Sequence, residues 1–185
     1  MIATISVRLN RVQKILLILV GGFIALFVLP FSAWLVADEG FTRTARADFC
    51  MTCHSMQPMV ASYLEDEHGG NTPYGVQAAC ADCHLDHRNS AIYFFSKART
   101  GIHDIIVETF GDPESIDWEA KREHRETFVY DTGCLNCHNR LQEATMGSNK
   151  AFVAHQDYFA QRIDDKCVTC HKHVGHKDLG LYIKQ

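Results

Sequence analysis

Cys50-Met51-Thr52-Cys53-His54 decides how this chain is built, because its pattern returns three times: Cys80-Ala81-Asp82-Cys83-His84, Cys134-Leu135-Asn136-Cys137-His138 and Cys167-Val168-Thr169-Cys170-His171. Cys-x-x-Cys-His is the attachment signature of a c-type haem. Two thiols at this spacing reach the two vinyl groups of one porphyrin, and the adjacent imidazole falls on the iron. All 8 cysteines are consumed, so four covalently bound haem c groups are expected. Zinc ribbons also use Cys-x-x-Cys pairs, two per tetrahedral ion, but leave the four trailing histidines unexplained. A redox dithiol needs one motif rather than four, and a disulfide framework again ignores the histidines.

Toward the N-terminus, residues 15–37 are almost wholly apolar and carry no charge. That run exceeds the ~20 residues needed to cross a bilayer core as a helix. Arg8, Arg11 and Lys14 precede it, and Asp38 and Glu39 follow it. The positive-inside rule then predicts a cytoplasmic N-terminus and a periplasmic haem domain on the outer face of the inner membrane, the side on which haem is attached. Gly21, Gly22 and Pro30 are tolerable in such a helix. A cleaved signal peptide would have a core of about 7–15 apolar residues and a small-x-small site. Leu35-Val36-Ala37 fits that poorly, so an uncleaved single-pass anchor is expected.

Beyond residue 40 too little chain remains to fold a conventional core around four porphyrins. The haems must form much of the interior. The expected fold is mainly α with much irregular structure and no sheet: an N-terminal transmembrane helix plus a multihaem cytochrome c domain built from two dihaem half-repeats. The segments read as a cytoplasmic N-terminus at 1–14, the anchor at 15–37, a first dihaem half at 40–90, a connecting helical segment at 91–131 and a second dihaem half at 132–185. With a formal charge of −4 and no dense basic patch, nucleic acid is not an expected partner.

The duplication shows in the remaining histidines. Each half reads motif, His, motif, His: His68 and His87 in the first, His155 and His176 in the second. These four are the candidates for distal axial ligation opposite the motif histidines. Two imidazoles give low-spin, six-coordinate iron suited to electron transfer. His173 is the rival for His176, and His103 and His124 lie outside the pattern. The pairing of distal histidines with irons is open at this level. Met56, two residues after His54, is near enough to compete for the first iron, although such a Met also serves as a simple porphyrin contact.

Taken together the chain resembles the NapC/NirT family of membrane-anchored quinol dehydrogenases, which includes NapC, NrfH and CymA types. The matching features are the anchor, the motif spacing, Phe49-Cys50 through Met56, His68-Gly69-Gly70 before Cys80, His87, and His171 through His176. The resemblance implies that Met56 is an axial ligand of a membrane-proximal first haem. It also implies a quinol pocket beside that haem, built by a Lys and an Asp matching Lys97 and Asp104. The residues themselves are compatible. Residues 91–110 read as a helix with apolar Ile92, Phe94, Phe95, Ile102, Ile105 and Ile106, interrupted by Lys97, Arg99, His103 and Asp104. Such a helix suits a membrane interface, and quinol oxidation needs a proton acceptor, here Asp104 or the adjacent His103. The second motif continues Leu85-Asp86-His87, where many relatives have Pro before the His.

The expected activity is oxidation of menaquinol or ubiquinol from the membrane quinone pool, with electrons passed to a periplasmic reductase or cytochrome. An oligomer with that partner is compatible with this reading. The alternatives are an electron relay without its own quinone site, and the reverse flow from an extracellular donor such as ferrous iron into quinone.

Overall fold

The computed structural model describes residues 10–183; Arg8, one of the cationic residues behind the topology expectation, lies outside them. The first unit is Met1–Thr44. Its helix starts at a capping box: Asn10 Oδ1 accepts the Gln13 N–H at 2.8 Å, and Gln13 Oε1 accepts the Asn10 N–H at 2.9 Å. From there the chain is helical over Arg11–Arg43, 33 residues, longer than the expected 15–37 at both ends. Length and apolar composition suffice to cross a membrane. Ile24–Val28 is a π-helical turn in which the Leu29 N–H reaches back to Ile24 O. Pro30 follows two residues later, with no N–H to offer and a ring that crowds the preceding turn. The wider turn accommodates both defects without breaking the helix. The helix ends where Thr44 Oγ1 donates to Gly40 O at 2.7 Å.

The second unit, Ala45–Gln185, is helical and contains no strand among the described residues, as expected. Three motifs sit on short helices, Cys80–His84, Asp131–Cys137 and Cys167–Cys170, whereas the first only begins at the last residue of the helix Ala47–Cys50. The longer helices are Gln57–Leu64, Ser90–Phe110 and Asn149–Phe159. Ser90–Phe110 starts at Asn89, whose side chain accepts the Ile92 N–H at 2.9 Å, a standard N-cap. Among the described residues the buried apolar set is Ala45, Val60, Tyr63, Ala81, Leu85, Val168 and Ile183. So few side chains cannot stabilise a unit of this size by burial alone. The deficit is what large covalently tethered porphyrins would supply.

One close backbone approach joins the two halves. A Cβ on Gly133 would lie 1.8 Å from Asp82 O, so only glycine lets the helix Asp131–Cys137 press onto the helix Cys80–His84. The same junction carries Tyr130 N–H to Cys83 O at 3.0 Å, His87 N–H to Thr132 Oγ1 at 3.0 Å, and Thr132 Oγ1–H to Asp86 Oδ1 at 3.2 Å. The second and third motifs are therefore bolted together across the repeat boundary.

Candidate functional site

The half-repeat has a structural counterpart at the cysteines. Cys50 and Cys80, the first thiols of the first two motifs, meet side by side, and Cys134 and Cys167 do the same in the second half. Hydrogen bonding within the second pair lowers the Cys134 thiol to about 7 and raises that of Cys167. The second motif of each half also buries its first intervening residue, Ala81 or Val168.

Three motif histidines each face a second imidazole from a distant part of the chain. Ring centroids lie 6.1 Å apart for His84 and His176, 6.1 Å for His138 and His68, and 6.2 Å for His171 and His155. Imidazole nitrogen bonds a first-row metal at about 2 Å, with the ring centroid roughly 1 Å behind, so two imidazoles flanking one iron should stand about 6 Å apart. The donor set thus fits three bis-histidine irons. A zinc reading fits less well: among the described residues no three His, Cys, Asp or Glu side chains converge as a metal site.

Several of these rings are held from behind. His84 Nδ1 lies 2.8 Å from Phe128 O, His176 Nδ1 3.0 Å from Met59 O, and His68 Nδ1 3.1 Å from Asp66 Oδ1. A hydrogen bond at Nδ1 leaves Nε2 as the free donor atom and fixes the ring plane. Burial pushes His84 down, and burial with His84 close by pushes His176 down to about 4, so both are neutral, the form that binds metal. His155 Nδ1 is buried without a partner. Asp66 and the carbonyls of Met59 and Phe128 carried no sequence signal, since they matter only through contacts made by folding.

His87 stands outside this arrangement. Its Nε2 is 3.0 Å from Ala81 O, its Nδ1 3.5 Å from the Asn136 amide, and its ring packs on Tyr93 at 4.8 Å. Both nitrogens are engaged at the junction of the halves, and no motif histidine lies opposite. Expected as a distal ligand, His87 has both ring nitrogens within reach of protein atoms here.

The first motif has different surroundings. Met56 closes a 3₁₀ turn, His54–Met56, and the helix Ser90–Phe110 passes beside it. Lys97, Asp104 and Glu108 fall on one side of that helix, at spacings of seven and four residues. Asp104 and Lys97 bear on the ionisation of Cys50 in opposite senses, and Asp104 and Glu108 both raise that of Cys53. Partial burial lowers the Lys97 ammonium. His103 Nδ1 lies 3.3 Å from Asp104 Oδ1, but its side chain is 73% exposed against 41% for Asp104. Glu108 accepts the His54 N–H at 2.8 Å and the Ser55 hydroxyl at 2.7 Å; these bonds, Ser55 foremost, hold its carboxyl below the usual range. It was missed in the sequence, although its position one turn beyond Asp104 marked it. Elsewhere the helix exposes Phe94, Phe95, Ile102, Ile105, Ile106 and Phe110.

The chain is similar over most of its length to known cytochromes. A putative tetraheme cytochrome c-type protein of Allochromatium vinosum is 30% identical over 88% of this chain and 86% of its own length. The tetraheme c-type cytochrome CymA of Shewanella oneidensis is 27% identical over 88% of this chain and 90% of its length. Some longer relatives are spanned over only 39% to 45% of their length. Among solved structures, a chain of the cytochrome c nitrite reductase NrfHA complex bound to the HQNO inhibitor superposes with a TM-score of 0.55 at 24% identity, covering 86% of this chain and 90% of that one. That likeness shows a shared fold. The model of the NapC/NirT cytochrome c family, N-terminal region, matches residues 9–180, and the chain belongs to that family.

Proposed function

We propose that this family member is a quinol dehydrogenase, anchored with its N-terminus in the cytoplasm and its haem domain in the periplasm. It oxidises menaquinol or ubiquinol and hands single electrons to a periplasmic reductase or cytochrome. The observation that carries this reading is the helix Ser90–Phe110. It carries Lys97 and Asp104 on the same side as Glu108, whose carboxylate accepts from His54 and Ser55 of the first Cys-x-x-Cys-His region, while exposing apolar side chains of the kind that lie in a membrane interface.

In this assignment His84 with His176, His138 with His68, and His171 with His155 would hold three irons, and Met56 would ligate the first. The eight cysteines hold the four haem c groups covalently. Haem c, once bound, supplies the one-electron centres that a two-electron donor must discharge through. Asp104 takes the proton of one quinol hydroxyl as general base. Lys97 steadies the substrate oxygen, its charge directed by the apolar surroundings that partly desolvate it. His103, more exposed and in contact with the Asp104 carboxylate, passes the proton outward.

The test is reduction of the purified, detergent-solubilised protein by a water-soluble quinol. Fast haem reduction is expected. Asp104→Asn and Lys97→Leu should each keep four haems and slow that reduction roughly tenfold or more, the low end of a lost general base. Wild-type rates in both variants would place the quinone site elsewhere and favour a relay without one.

A further inference from the structure

The four attachment motifs do not share one backbone conformation. In the third and fourth, the histidine N–H closes a helical bond to the carbonyl of the motif's first cysteine: His138 to Cys134 at 2.8 Å and His171 to Cys167 at 2.9 Å. In the second, His84 lies inside the helix Cys80–His84. In each of these the histidine faces a second imidazole. The first motif breaks the rule. Cys53 is extended, with φ −86° and ψ 132°. The His54 N–H then points away from the Cys50 carbonyl and donates to Glu108 Oε1 at 2.8 Å, while Ser55 Oγ donates to Glu108 Oε2 at 2.7 Å. The chain continues in a 3₁₀ turn, with the Met56 N–H reaching Cys53 O at 3.2 Å. Among the described residues His54 faces no second imidazole.

A carboxylate that accepts from two successive residues is a short, charge-assisted clamp. It competes directly with the i→i−4 bond that orients a motif histidine, because one N–H cannot satisfy both acceptors. We propose that Glu108 is a positioning residue that selects the axial ligand of the first haem: by capturing the His54 N–H it turns the His54 side chain off the iron and presents Met56 instead. This rests on the assignment of Met56 as ligand. It also links ligand choice to the quinol-side helix, since Glu108 lies one turn from Asp104 on the helix Ser90–Phe110.

The experiment uses full-length holoprotein in detergent, with haem count, the thioether-to-iron charge-transfer absorption of the oxidised protein, and the midpoint potential of the first haem as readouts. Wild type should show the thioether band, and Met56→Leu should lose it. If wild type lacks it, the Met56 assignment itself fails. Given the band, Glu108→Ala should retain four haems, lose the band and lower the first haem's potential, because imidazole replaces thioether. Glu108→Gln keeps an acceptor oxygen for the His54 N–H and should retain the band. Removing the rival ligand, in Glu108→Ala with His54→Ala, should restore it. The proposal is overturned if Glu108→Ala keeps both band and potential. It is equally overturned if the double variant stays without the band, because general misfolding then explains the loss.

Discussion

The two dihaem halves resemble one another in their cysteines and differ in where their histidines go. Each half brings its first thiols together, Cys50 with Cys80 and Cys134 with Cys167. In the second half His155 stays at home and faces His171. The first half keeps no such pair. Its His68 crosses to His138, and its own His84 is met by His176 from the end of the chain. The lesson is that a duplicated attachment pattern does not produce two separable modules. Exchange of facing imidazoles, together with the Gly133 junction, makes each half part of the other's interior.

The severest way to break the exchange is at its joint. Gly133→Val puts a branched side chain where even a Cβ meets Asp82 O at 1.8 Å. Overpacking of this kind costs on the order of 1–3 kcal/mol and more where backbone must move. The yield of protein with four haems should collapse, and any product should melt far below wild type in a thermal scan.

Removal of a crossing ligand sharpens the comparison at one site. His176→Ala should convert the second-motif iron, beside His84 and 92 residues away along the chain, to a high-spin form, leaving the fourth-motif iron low-spin. Electron paramagnetic resonance resolves this. If the fourth-motif signal changes and the second does not, each half keeps its own histidines and the crossed pairing is wrong.

A smaller effect is expected at the tether beneath His176. Ser62 is fully buried, and its hydroxyl donates to Lys177 O at 2.9 Å. Ser62→Ala should lower stability by about 1 kcal/mol, the net worth of one such bond, measured by denaturant unfolding. The second-motif iron should also lose His176 at lower denaturant concentration, while the His155–His171 site holds.

The smallest change is reserved for His87. With both ring nitrogens occupied at the junction, His87→Ala should leave every haem's spin state as in wild type. A high-spin signal in that variant would restore His87 to the ligand set.

Much of this molecule is local and therefore readable. The motif spacing specifies four attachment sites because each pair of thiols lies within five residues with a histidine beside it. The anchor is legible from length and lack of charge, though its helix runs on past residue 37 to Arg43, because each residue added to an existing helix gains one backbone hydrogen bond. Lys97 and Asp104 could be placed on one helix side from their spacing of seven. His68, His155 and His176 could be named as spare donors. Their partners could not, since His176 lies only five residues from His171 in the sequence yet reaches His84 only after the C-terminal segment folds back over Met59 and Ser62.

What the sequence determined by itself is the chemistry available: four attachment motifs, surplus imidazoles and a nearby thioether, and a helix long and apolar enough to cross a membrane. Tertiary structure alone decided which imidazole faces which, that His87 packs at a joint, and that Glu108 rather than Cys50 O receives the His54 N–H. The physical reason is range. Thioether spacing and helix capping are set by neighbours a few residues apart, whereas a ring pair or a side-chain clamp forms between segments whose proximity exists only once the whole unit has folded.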